Sequence, residues 1–298
     1  MRNDTLALEL NQSVIRKKRI NSAIRYILLS LVAFVMLYPV LWLAGASFKS
    51  NTEIFSSISF IPKSFDFSSF VKGWNTGTEY TFTTFFKNSF IIVIPSVLLT
   101  VISCTLVAYG YTRFNVPFKK PLFSILISTL FLPAVVTRIP LFMFWRDLGL
   151  LNTYIPLIAP CAFAHDAFFV FMLIQFMRGL PKEYDEAATI DGCGSFKTLI
   201  YILVPMLKPA MVTVVLFKFI WTFNNFMEPM IYVSSVEKFP VSVALRMVMD
   251  QAYGASAVVT PWNQMIAMSL IGLLPSIIVF FSAQNYFIDG ISAGGLKG

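Results

Sequence analysis

Apolar residues in this chain come in runs too long for the core of a soluble domain, with short polar stretches between them. Six runs, about 24–46, 85–111, 121–142, 154–177, 207–231 and 264–288, each suffice to cross a ~30 Å hydrocarbon layer at roughly 1.5 Å per residue. The pattern therefore predicts an all-α fold, a polytopic membrane protein with six transmembrane helices. Between the first two runs, residues 47–84 are punctuated by Pro62, Gly73 and Gly77. Their Phe, Ile and Trp side chains call for burial, so this stretch is expected to be an ordered external cap. A second external loop is expected at about 232–262.

Composition strengthens that reading. The 298 residues are 57% hydrophobic and only 13% charged, with a mean hydropathy of +0.73; a soluble domain carries about twice that share of charge. The net charge of +8 does not point to nucleic acid, because Lys and Arg sit in short clusters beside the apolar runs, as orientation signals do. Arg16, Lys17, Lys18 and Arg19 before the first run, and Arg113, Lys119, Lys120, Arg178 and Lys182 after later ones, place both termini in the cytoplasm. The division is a cytoplasmic arm at 1–23, a transmembrane domain at 24–288 with a cytoplasmic loop at about 178–206, and a cytoplasmic tail at 289–298. No cleavable signal peptide is expected, since the first run is long enough to span. Cys104, Cys161 and Cys193 show no C-x-x-C spacing, so neither a disulfide, a metal nor any other cofactor is expected.

The longest polar-bearing segment inside the apolar pattern is EYDEAATIDGCGSFKTLIYILVPMLKPA, residues 183–210. It reads as a short helix, a turn at Asp191-Gly192 and a second helix closing on Pro205 and Pro209. Glu183, Asp185 and Glu186 fall in the first turns, where the helix dipole favours acids. Glu186-Ala187-Ala188, three residues, Gly192, nine residues, Ile202, one residue, Val204-Pro205 resembles the EAA loop of ABC-importer inner-membrane permeases, with Val204 in place of a leucine. FNNFMEPMI at 223–231 and the ending GISAGGLKG extend the resemblance to the carbohydrate branch, specifically the second, maltose-type permease subunit.

The resemblance implies a type I importer permease, in a bacterial-type cytoplasmic (inner) membrane, working with a homologous permease, two ATPase subunits and an extracytoplasmic solute-binding protein to import a carbohydrate, an oligosaccharide above all. Glu186, Ala187, Ala188, Asp191 and Gly192 then form the coupling element that docks on the ATPase, the two alanines giving the helix a thin side for a groove on the partner. The loop at 232–262, with Gly254, Ala255 and Ser256 at its tip, matches in place a scoop that reaches the binding protein; a plain connector is the other reading. Gly294, Gly295, Leu296, Lys297 and Gly298 resemble a tail that enters the ATPase dimer interface.

Charged and amide groups inside apolar runs are costly in lipid and tend to face a cavity or each other. Asp166, Lys218, Asn224, Asn225 and Glu228 are the candidates for a substrate path, where amides and carboxylates suit sugar hydroxyls. On one continuous helix Lys218, Asn225 and Glu228 share a face and Asn224 lies off it. The same residues also fit a purely internal role, with Asp166 and Lys218 as an ion pair and the amides gluing spans together. His165 reads as a structural hydrogen-bonding group, and Phe168, Phe169 and Phe171 as packing or lipid-facing residues. No G-x-x-x-x-G-K-[ST], H-E-x-x-H or G-x-S-x-G occurs, so a non-catalytic permease driven by a separate ATPase is expected. The alternatives are an ion-coupled secondary transporter of small polar solutes and an intramembrane enzyme.

Overall fold

The computed structural model describes residues 2–75, 79–254 and 261–295. Within them the secondary structure is helical, with no strand. In chain order the helices are α1 (Arg2–Ala46), α2 (Asn51–Ser56), α3 (Ser68–Trp74), α4 (Phe82–Arg113), α5 (Lys119–Leu130), α6 (Ala134–Asp147) and α7 (Ile155–Ile158). There follow α8 (Ala167–Arg178), α9 (Glu183–Ile190), α10 (Ser195–Thr198), α11 (Val204–Met206), α12 (Lys208–Phe223), α13 (Met227–Tyr232), α14 (Val241–Gly254) and α15 (Trp262–Gly295). Four stretches are long and apolar enough to cross a membrane: Lys18–Ala46, Phe82–Arg113, Ile155–Arg178 and Trp262–Gln284. Two bent pairs, α5 with α6 at 97° and Ser195–Met206 with α12 at 78°, raise the number to six. The number is six when each bent pair is taken as one span, and the third and fifth are then broken rather than straight. Pro133, which caps α6, and Pro209, at the start of α12, explain the breaks, since proline lacks an N–H for the preceding turn.

Helix extends into three stretches expected to lie outside the spans. The polar arm at 1–23 is the beginning of α1, which runs without a break from Arg2. The loop at 232–262 carries the amphipathic helix α14. The terminal tail expected at 289–298 is helical to Gly295, while Leu296, Lys297 and Gly298, like Ala255 and Ser256 of the expected scoop tip, lie outside the described residues.

The chain forms two compact units, Met1–Gly73 with Pro261–Leu270, and Trp74–Thr260 with Ile271–Gly298. In the first, the ammonium of Lys49, buried to 1% exposure, donates to the carbonyls of Ser57 and Ser59. Asn263 donates to Ser69 Oγ at 2.9 Å and its backbone N–H to Asn51 Oδ1 at 3.0 Å. A side chain at Gly45 would overlap the Phe60 carbonyl, so glycine is required by close approach. The aromatic residues of 47–74 are only partly buried: Phe48 packs edge-on against Phe65 and Phe67, which stay exposed.

In the second unit α4 is central. Its Cys104, Ala108 and Tyr109 join Phe169, Leu173, Ile174 and Met177 of α8 and Leu207, Ala210 and Val214 beside them in one buried cluster. Between helices in lipid there is little hydrophobic driving force, so close packing of small residues such as Ala108 and Ala210 carries the association. Leu199–Leu203, between α10 and α11, is wound as a π-helix. At one end of α4, Asn88 donates to the Glu237 and Phe239 carbonyls at 2.8 and 3.0 Å, and Ser89 Oγ accepts from the Val241 N–H at 2.9 Å, which fixes the start of α14. Asn152, at φ 58°, accepts from the Ser234 and Ser235 N–H groups at 3.2 and 3.0 Å. Ala108 is fully buried and Val107 exposed. We therefore expect Ala108→Leu to cost about 1–3 kcal/mol by overpacking and to lower the thermal midpoint of the detergent-solubilised assembly, with Val107→Leu unchanged.

Candidate functional site

Two places in the second unit gather the candidate residues. The first is the short helix α9, which follows α8 directly. Arg113, at the end of α4, is nearly buried; its Nε lies 2.9 Å from Asp185 Oδ2 as an ion pair, and its Nη2 donates to the Leu180 carbonyl at 3.2 Å. Tyr109 donates its hydroxyl to the Ser195 carbonyl at 2.9 Å. Both ends of the loop are therefore tied to α4. Gly192 has φ +76°. Its N–H donates to the Thr189 carbonyl at 3.1 Å, and the Cys193 N–H to that of Ala188 at 2.8 Å. This is a Schellman ending, which requires a left-handed residue where Gly192 stands.

That turn alters the expectation for the alanines. Ala188 is buried to 2% exposure within this chain, beside the turn whose Cys193 N–H donates to its carbonyl, so its side chain offers no open surface to a partner. Glu186, Ala187, Asp191 and Gly192 are exposed. With Ala187 go Tyr184 and Ile190, exposed at 46% and 86%. The three are spaced by steps of three and share one helical face. Tyr184 and Ile190 escaped the sequence reading, though that spacing marks them.

The second place is a cavity of about 140 Å³ lined by Ile92, Leu157, Asp166, Lys218, Trp221, Thr222, Asn225, Glu228 and Pro229. Span four is interrupted here: Ala159–Phe163 is a 3₁₀ turn, Ala164 has φ 51°, and α8 begins after Asp166. The Asp166 side chain does not cap α8. It reaches instead to α12, where Lys218 Nζ lies 2.7 Å from its Oδ2, the two side chains 24% and 12% exposed. The pair is thus formed, and it borders the cavity.

Asn225 and Glu228 reach the same cavity by a different route from the one the helical wheel suggests. α12 ends at Phe223, so the face does not continue. Asn225 Oδ1 accepts from the Glu228 N–H at 3.3 Å and its Nδ2 donates to Glu228 Oε2 at 2.8 Å. This reciprocal pair, spaced as N-x-x-E, brackets the first turn of the short helix α13, whose N-cap position is Phe226. Asn224 is not part of the wall; it caps α12 and donates to the Ile220 carbonyl and Ser276 Oγ at 2.8 and 3.3 Å. His165 is exposed and outside the lining. Trp221 and Thr222 were missed, although Trp221 stands one turn from both Lys218 and Asn225.

The family of binding-protein-dependent transport system inner membrane components matches residues 101–292, and this chain belongs to it. A probable ABC transporter permease of Bacillus subtilis is 31% identical over 98% of this chain and 94% of its own. An arabinooligosaccharide transport system permease of Halalkalibacterium halodurans is 30% identical over 90% and 93%. A diacetylchitobiose uptake system permease of Streptomyces coelicolor is 28% identical over 93% and 89%. The fold is also that of a chain from the crystal structure of a bacterial ABC transporter involved in the import of the acidic polysaccharide alginate, with TM-score 0.77, 24% identity, and coverage of 91% of this chain and 98% of that one. The protein is accordingly a multi-pass inner-membrane permease subunit of an ABC importer, non-catalytic itself, of the kind that works with a partner permease, an ATPase and a solute-binding protein. That replaces the secondary-transporter and intramembrane-enzyme alternatives.

Removing one member of a largely buried ion pair costs about 3–5 kcal/mol, because the other is stranded. Asp166→Ala or Lys218→Met alone is expected to lower the unfolding midpoint of the assembly, and the double variant to recover a large part of the loss, as a double-mutant cycle will read directly.

Proposed function

We propose that this subunit forms, with a homologous permease, the path for a carbohydrate, an oligosaccharide in its natural setting, and that α9 is where two ATPase subunits, one beneath each permease, act on the pair. The observation that carries the reading is the position of α9. It joins α8 to the segment leading into α12, and those are the two helices that Asp166 and Lys218 bridge at the cavity. A movement imposed on α9 is delivered to both helices at once. The exposed face of Tyr184, Ala187 and Ile190, with Glu186 and Asp191 beside it, suits a groove on a soluble partner, and the Gly192 turn holds its direction. Asp166, Lys218, Asn225 and Glu228 border the path; Asn224 supports it from behind. Carbohydrate as cargo is supported by the relatives named for oligosaccharide uptake and by a cavity wall of carboxylate, amide, hydroxyl and ammonium groups, which donate to and accept from sugar hydroxyls. Both termini are cytoplasmic in this arrangement, in keeping with the basic clusters beside the spans.

Ile190→Asp and Glu186→Lys should each reduce co-purification of the ATPase at least tenfold while the permease stays folded. Gly192→Pro should do the same by breaking the turn, since its N–H donates to Thr189. Retention of ATPase and of transport in all three would end the docking assignment. Uptake in proteoliposomes should be abolished by vanadate and indifferent to protonophore; the opposite pattern would remove the ATP-driven reading.

A further inference from the structure

The cavity wall is uneven in charge and in polarity, and both features bear on what enters it. We propose that it is a subsite for a single sugar ring that is uncharged or carries an ammonium group, with Trp221 as the surface on which the ring stacks and Glu228 as the group that turns carboxylate-bearing sugars away. The inference rests on the reading that the cavity belongs to the transport path.

Trp221 is 48% exposed and borders the cavity. Its indole is backed by Phe169, stacked at 5.2 Å and 29°, and by Phe168 and Phe217 at 5.6 and 5.7 Å. The ring is thus held rigidly while keeping open surface. An aromatic face carries negative charge density and attracts the slightly positive C–H groups of a pyranose ring. Around it stand Thr222, Asn225 and Glu228, whose donors and acceptors match ring hydroxyls. An apolar plate with polar groups at its edge fits a ring that has a C–H face and a hydroxyl rim, and not a linear apolar solute.

The charges select further. Asp166 and Lys218 compensate each other at 2.7 Å. Glu228 forms no ion pair among the described residues, its Oε2 accepting only from the neutral Asn225 amide. One negative charge therefore remains among the lining residues, and a ring seated against them brings its own charge within a few ångströms of it, where an anionic group is repelled and an ammonium group attracted. The size completes the argument. A cavity of about 140 Å³ lies below the roughly 300–1,000 Å³ of pockets that take drug-sized ligands, which suits a single ring rather than a whole oligosaccharide.

The test is a thermal-shift titration of the complete membrane assembly, without its solute-binding protein, against D-glucose, D-glucosamine and D-glucuronate, three rings that differ in charge. Glucose and glucosamine should stabilise it with half-saturation at least about tenfold lower than glucuronate, a factor equivalent to about 1.4 kcal/mol. Trp221→Ala should raise the glucose half-saturation about tenfold and Trp221→Phe should restore most of it, which a merely structural role of the ring would not produce. Glu228→Lys should invert the order of glucosamine and glucuronate. Equal or better binding of glucuronate by the unaltered protein, no shift with glucose or glucosamine near their solubility, or indifference to Trp221→Ala would each overturn the proposal. Uptake assays keep the two readings apart. If Asn225→Ala and Glu228→Ala leave uptake unchanged, the path reading falls and the subsite with it; if they impair uptake while the charge order is absent, the subsite alone falls.

Discussion

A charge at membrane depth has to find its partner inside the protein, and the Asp166–Lys218 pair meets that demand at the point where span four is interrupted. The interruption frees backbone groups and brings Asp166 to the head of α8, where an aspartate ordinarily accepts from the first N–H groups of the helix. Here it turns away to an ammonium on α12. Two helices joined at one end by α9 and the segments after it are thereby joined at the other by an ion pair. The cavity is what remains beside that bridge, and Trp221 with its aromatic backing and the Asn225–Glu228 pair form part of its wall.

The helices around this bridge are held by contact rather than by the exclusion of water. In lipid an apolar surface gains little by leaving its surroundings, so α4 meets α8 and α12 through small side chains and close packing, with side-chain hydrogen bonds at its ends. Tyr109 and Arg113 hold the α9 loop at one end of α4, and Asn88 and Ser89 hold the approach to α14 at the other. One long helix therefore anchors both regions in which this subunit is expected to meet other proteins.

The apolar runs marked out the candidate spans because the bilayer sets a length that few other environments demand. They did not show where the runs break: Pro133 and Pro209 are visible in the sequence, but Pro39, Pro95 and Pro275 sit inside continuous helices, so proline alone does not separate a kink from a break. The Asp166–Lys218 pair was legible because isolated charges in apolar runs have few ways to be satisfied. Asn225 and Glu228 were found through a helical wheel that the structure does not keep, since α12 stops two residues earlier and the pair sits at the first turn of α13. The burial of Ala188 was hidden for a similar reason. The Gly192 turn was expected, but a spacing motif does not tell which side of the helix the chain folds back on.

The Schellman ending at Gly192 also bears on kinetics. A helix of eight residues does not persist in water alone, yet α9 is ordered by its turn, by Asp185 against Arg113 and by the Tyr109 hydrogen bond, all within this chain. A partner meeting it encounters a surface already shaped, and no conformational entropy is left to be lost in ordering it. In the docking proposed for α9, association and release are then limited by collision and by contact area, not by folding.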